Sequence, residues 1–244
     1  MGILRTILGG VAGFAIGGPI GALLGAVAGR ALDGLDGPDR APDPRVQDGT
    51  KQIAFTIGVI ALGAKMAKAD GVVTRDEVAA FRRIFEVPQD EVANVGRVFD
   101  FAKRDVRGFE PYARQVAGLF PDNPEILEKL IEGLYTIAQA DGVVHPAELA
   151  YLHQVAAIFG LDASRFARAG AAAGGTADPY TVLGVPRTAS DEAIKTAWRG
   201  LVRENHPDRL MAQGLPPDAI ALANRQVAAI NAAYDIIARE RGIK

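Results

Sequence analysis

The sequence predicts an all-α protein in three parts: an N-terminal glycine-zipper transmembrane helix, a multihelical domain with an internal repeat, and a C-terminal helical hairpin. Three observations predict this class. An uncharged run with periodic glycine opens the chain. Apolar residues further on recur at three- and four-residue spacing, the period of a helix with one buried face. One helix–turn–helix passage occurs twice, 71 residues apart.

The run Thr6 to Gly29 holds 24 residues without a charge, between Arg5 and Arg30. As a helix it would cover ~36 Å, enough to cross ~30 Å of hydrocarbon with some tilt. Gly9, Gly13, Gly17, Gly21, Gly25 and Gly29 keep a strict period of four and fall on one stripe of such a helix. In lipid a small-residue stripe lets a second backbone approach closely, here that of a second copy in a homodimer. In water each interior glycine would cost ~1 kcal/mol relative to alanine. Pro19 predicts a kink. Two readings compete with the anchor: a membrane-surface or soluble glycine-rich hairpin, and a cleavable signal peptide, since Ala26-Val27-Ala28 has the small residues of a cleavage site. The run is longer than the usual apolar core of about 7–15 residues. Arg30, Arg40, Arg45 and Lys51 on the far side against Arg5 bias the span toward a cytoplasmic C-terminal side.

Residues 1–32 are thus read as the anchor, and 33–50, rich in proline and glycine, as a flexible linker. Residues 51–169 form the central domain, 170–177 a second linker and 178–244 the C-terminal module.

Composition excludes several functions. The 244 residues carry a net charge of -2, so the chain is not a globally basic nucleic-acid binder. With no cysteine there is no disulfide framework, no thiolate metal site and no thiol catalysis, and the chain suits a reducing compartment. Histidine occurs three times, at His145, His153 and His206.

In the central domain, Ile53, Ile57, Ile60 and Ala64 mark one helix, and Ile126, Leu130, Leu134 and Ile137 another. Ala69-Asp70-Gly71-Val72-Val73 recurs as Ala140-Asp141-Gly142-Val143-Val144, and Glu77 recurs as Glu148. Each copy reads as helix, Asp-Gly turn, helix. Thr74 with Glu77 has capping-box spacing, and Pro146 suits a first helical turn. Two readings of Asp70, Glu77, Asp141 and Glu148 stand. In one, aspartate serves the turn and glutamate caps the next helix. In the other, the symmetric turns meet and the four carboxylates hold a divalent hard cation. An acid/base pair for catalysis is disfavoured, because no nucleophile or histidine recurs beside the acids. By these residues the domain resembles the TerB-like (tellurite-resistance-type) helical domain over roughly residues 51–168. The resemblance implies metal binding at Asp70, Glu77, Asp141 and Glu148.

The C-terminal module opens with Asp178-Pro179-Tyr180-Thr181-Val182-Leu183-Gly184-Val185. Ser190 is an N-cap for a helix from Asp191 to about Glu204. Ile194, Ala197, Trp198 and Leu201 form its apolar stripe, with Lys195, Arg199 and Arg203 as a basic stripe beside it. Pro207 ends that helix within Asn205-His206-Pro207-Asp208. A second helix follows Pro216-Pro217, with Ile220, Val227, Ile230, Tyr234 and Ile237 as its core face. This arrangement resembles a J-domain, the DnaJ-type co-chaperone module. The order of anchor, TerB-like domain and J-domain resembles that of DjlA-type membrane co-chaperones over the whole chain.

The resemblance implies that Lys195, Trp198, Arg199 and Arg203 face a DnaK-class chaperone and that His206, Pro207 and Asp208 form its activating loop. It also places the chain in the inner membrane as a single-pass protein facing the cytoplasm, where ATP-dependent partners are. The chain itself is not an enzyme and carries no cofactor of its own: its glycine-rich segment lacks the Gly-Lys-Ser/Thr of a phosphate loop. The alternative is a membrane stress or metal-response scaffold, in which the central domain binds a cation and the C-terminal module only recruits.

Overall fold

The computed structural model describes residues 55–56, 58–66, 79–80, 108–140, 142 and 144–243, with helices and turns and no strand among them. The glycine stripe, Asp70, the Thr74 and Glu77 capping pair, and Asp141 lie outside these residues.

Helix α1 contributes residues 55–56 and 58–66. It is followed by α2 (Glu110–Leu119), α3 (Pro124–Ala138), α4 (Pro146–Ile158) and α5 (Ala163–Ala172). The expected apolar stripe of α3, Ile126, Leu130, Leu134 and Ile137, is buried. It packs in one core with Val59 and Leu62 of α1, Tyr112 and Val116 of α2, and Leu152 and Val155 of α4. Burying each such aliphatic side chain contributes ~1.5–3 kcal/mol. The Tyr151 hydroxyl donates to the Leu62 carbonyl at 2.8 Å, so this buried polar atom between α4 and α1 is satisfied.

Helix α4 starts as its sequence signals predict. Pro146 occupies the first turn, and the Glu148 carboxylate accepts from the His145 backbone N–H at 2.8 Å. His145 Nδ1 accepts from the Ala147 N–H at 3.2 Å, completing a reciprocal cap.

Residues 170–172 of the segment read as a linker belong to the end of α5. The turn after them is compact. The Gly175 N–H donates to the Gly170 carbonyl at 2.9 Å, and a Cβ on Gly175 would stand 2.9 Å from that same oxygen. The glycine there serves close approach of backbone to backbone.

The C-terminal module comprises α6 (Pro179–Leu183), α7 (Asp191–Glu204), α8 (Pro207–Ala212), a 3₁₀ turn (Pro217–Ala219) and α9 (Ile220–Arg241). Asp178 caps α6 and Ser190 caps α7, each side chain accepting a backbone N–H at 3.0 and 3.2 Å respectively. Gly184 ends α6 in the left-handed region at φ 67°, which a Cβ would penalise. Tyr180, Leu183, Ile194, Ile230 and Ile237 make the module's own core.

Only part of the face expected for α9 is turned into that core. Ile230 and Ile237 are fully buried, while Ile220 and Val227 are half-buried. The first turns of α9 instead bury Leu222, Ala223 and Gln226. Leu222 and Ala223, with Leu210 of α8, Leu215 and Ala219, belong to the core of the central domain. The reason lies in α3. Its second face carries Glu125, Glu128, Lys129 and Glu132, and the N-terminal part of α9 and the end of α7 lie against it. A Cβ on Gly133 of α3 would be 3.8 Å from Val59 and 3.9 Å from Leu222, so α1 and α9 approach α3 at one level. Module and central domain therefore share a continuous core.

Candidate partner-binding surface

Helix α7 presents the basic stripe outward. Arg199 and Arg203 are exposed. Lys195 is half-buried, its ammonium 3.6 Å from the carboxylate of Glu192, one turn back. Trp198, on the same helix, packs as its place on the apolar stripe predicts. Its ring stacks on Tyr234 of α9 at 4.3 Å between centroids, and its Nε1–H donates to Asn231 Oδ1 at 2.8 Å. It fastens α7 to α9 and is half-buried.

The His206-Pro207-Asp208 corner follows from local chemistry. Helix α7 ends at Asn205, and His206 is already the N-cap of α8, with φ -63° and ψ 132°. Pro207 takes the first helical position, where a missing N–H costs nothing. His206 Nδ1 accepts from the Asp208 N–H at 3.3 Å. That bond assigns the imidazole proton to Nε2. The His206 and Asp208 side chains are 58 % and 82 % exposed, and Asp208 Oδ2 lies 3.8 Å from His206 Nδ1. A rigid corner thus offers an imidazole N–H donor and a carboxylate acceptor to solvent, beside exposed guanidinium groups.

His145 repeats the same local geometry, a histidine N-cap before proline. His153 stacks on Phe166 at 4.1 Å.

Of the four acidic positions considered for a cation, Glu148 alone lies among the described residues. It is 4 % exposed and its Oε2 is engaged by the His145 N–H. Among the described residues no group of three or more His, Asp or Glu side chains has the arrangement of a metal site.

Behind the corner lies a buried polar network that sequence reasoning missed. Glu128 accepts from Arg168 Nε at 3.0 Å, from Arg165 Nη1 at 3.1 Å and from Gln226 Nε2 of α9. Arg168 also donates to the Val182 carbonyl of α6 at 3.0 Å. Lys129 donates to Asn205 Oδ1 at 3.2 Å, and Arg225 Nε donates to Glu132 at 3.3 Å. A helix carrying Glu128, Lys129 and Glu132 on one side reads locally as having a solvated face. No signal within α3 marks that face as covered.

Burial shifts two groups of this network, Glu132 and Lys129. Desolvation pushes the Glu132 carboxyl up to about 7, with Lys129 and Arg225 offsetting part of it. Desolvation likewise pushes the Lys129 ammonium down to about 8, against the pull of Glu132 and Glu128. Glu132's contribution to stability is complete below its ordinary value of 4.5 and is lost as pH rises through about 7. Lys129's contribution is complete above 10.5 and is lost as pH falls through about 8. The pair is therefore least favourable between these two values. The double variant Lys129→Met/Glu132→Gln is expected to melt at or above the native chain at pH 7.5, since replacing a buried ion pair is neutral or stabilising by ~1–4 kcal/mol. Its advantage should shrink toward pH 5 and toward pH 10. A series of thermal melts checks this, and a variant melting well below the native chain at pH 7.5 contradicts it.

Comparison with known proteins adds to the geometry. The family described as tellurite resistance protein TerB matches residues 56–171, the DnaJ domain matches 178–242, and the co-chaperone DjlA transmembrane domain matches 1–53. The co-chaperone protein DjlA of Photobacterium profundum is 30% identical, over 98% of this chain and 99% of its own. The DjlA protein of Yersinia pestis is 28% identical over 93% of this chain and 94% of its own. That of Shewanella oneidensis is 31% identical over 80% of each. No solved structure gives a significant match. Among the described residues no helix is long and apolar enough to cross a membrane, and the segment matched by the transmembrane family lies outside them.

Proposed function

The chain belongs to the DjlA family of membrane-associated J-domain co-chaperones, and from that membership we propose that it stimulates ATP hydrolysis by a DnaK-class chaperone and recruits that chaperone to clients at the membrane. The observation that carries the reading is the exposed His206-Pro207-Asp208 corner beside Arg199 and Arg203. The basic face of α7 steers and orients the encounter with an acidic surface. Pro207 and the His206 cap fix the corner in advance, so little ordering is left for the moment of binding. Asp208 accepts a charge-assisted hydrogen bond from a cation of the partner, and His206 Nε2–H donates one. The hydrolytic groups belong to the ATPase. Trp198 acts from within, holding α7 against α9.

The test is single-turnover ATP hydrolysis by a DnaK-class chaperone with and without the purified full chain. Acceleration that saturates with added chain supports the reading, and an unchanged rate at saturating chain refutes it.

The central domain and J-domain lie on the cytoplasmic side, where the ATPase is. Protease added outside cells with a permeabilised outer membrane is expected to leave a C-terminal tag intact. Digestion of the tag without lysis would reverse the orientation.

A further inference from the structure

We propose that Lys129, in the central domain, is a positioning residue for the His206-Pro207-Asp208 corner and acts on it through Asn205. The proposal rests on the co-chaperone reading and extends it to a residue outside the J-domain.

Asn205 is the hinge between α7 and α8. Its backbone N–H donates to the Leu201 carbonyl at 3.0 Å, and its side-chain Nδ2 donates to the same carbonyl at 2.9 Å. Its Oδ1 accepts from Lys129 Nζ at 3.2 Å, from a residue 76 positions earlier. Asn205 is 2 % exposed, so this bond has no competition from water. The next residue is His206.

Lys129 is itself held. It is fully buried, and its ammonium lies 3.8 Å from Glu132 Oε2. The other Glu132 oxygen is 3.3 Å from Arg225 Nε on α9. Asn205, Lys129, Glu132 and Arg225 thus form a polar chain that leaves the module just before His206 and returns to it on α9. The segment between these two anchors contains α8, pinned midway by Leu210 and Leu215 in the central core. The exposed His206 and Asp208 therefore stand on a corner whose back is fixed at both ends by α3. The charged groups acting on Lys129 and Glu132 are Glu125 and Glu128 of α3 itself, Arg168 of α5 and Arg225 of α9.

Holding the corner should affect the activated step more than the encounter, because Arg199 and Arg203 lie on α7 and do not depend on α8. The experiment uses the full chain in detergent micelles, labelled with ¹⁵N-histidine, as native protein and as Lys129→Met and Asn205→Ala. With three histidines in the chain, His206→Gln identifies the His206 signals and also serves as the activity control. The expected result is that both variants move the His206 ring signals toward the averaged tautomer pattern and leave those of His145 and His153 in place. Maximal stimulation of single-turnover hydrolysis should fall about tenfold, the scale of losing a hydrogen bond to a charged group. The half-saturating concentration should change by less than about twofold.

Unchanged His206 signals overturn the proposal. So does a signal change with stimulation intact, or a loss of stimulation that only follows lost helicity. If Lys129→Met does not fold, Asn205→Ala breaks the same bond from the other side. An unchanged hydrolysis rate with the saturating native chain would refute the co-chaperone reading instead, while the ring signals would still report whether Lys129 holds the corner.

Discussion

Replacing His206 by glutamine is expected to abolish stimulation of a DnaK-class ATPase while leaving the far-ultraviolet circular dichroism of the chain unchanged. His206 is exposed, and its ring lies outside both hydrophobic cores. Among the described residues its ring serves as the cap on α8 through Nδ1. Losing an N-cap costs ~0.5–2 kcal/mol, small against a total stability of ~5–15 kcal/mol. Leu210, buried in the central core, still holds the short helix down. The functional loss is of another order, because the Nε2–H donor and its fixed direction disappear together. Single-turnover hydrolysis at saturating chain measures it. Stimulation within about twofold of the native value would remove His206 from the activating surface.

Replacing Leu222 by aspartate is expected to split one unfolding transition into two. Leu222 is fully buried in the core that the module shares with the central domain. A carboxylate there has no partner, and burying one costs several kcal/mol unless it is paired. The module's own core around Tyr180, Ile194, Ile230 and Ile237 is a separate cluster that the substitution does not touch. The shared core should therefore weaken while the module persists. The single tryptophan makes this measurable, since Trp198 stacks on Tyr234 inside the module. In the native chain, tryptophan fluorescence and far-ultraviolet dichroism should trace the same urea transition. In Leu222→Asp the dichroism should begin to fall first. Coincident curves in the variant would mean that the two cores do not unfold separately.

The sequence is most legible where structure is local. Ser190, and Pro146 with Glu148, mark helix starts that the structure places at those residues. Pro207, read as the end of α7, also opens α8, a helix missed by placing the next one after Pro216-Pro217. The exposure of Arg199 and Arg203 is legible for the same reason, while their role with His206 and Asp208 as a partner surface is what the J-domain resemblance implies. That surface consists of one helix face and the turn that ends it. Trp198 is legible as part of the apolar stripe of α7, but its partner Tyr234, 36 positions later, is not.

What the sequence determined by itself was therefore the helical class and most of the helix starts. Each depends on groups within about one turn, where capping, proline and the 3.6-residue period act. What only the tertiary structure decided was the fate of α3. Glu128, Lys129 and Glu132 have the pattern of a solvated face, and all three are fully buried because α5 and the module cover them. Whether a charged face meets water or another helix depends on surface supplied from far along the chain. The Lys129–Asn205 bond spans 76 positions, and no local rule reaches that far. The sequence placed His206 at the end of a helix; the fold places α3 behind it.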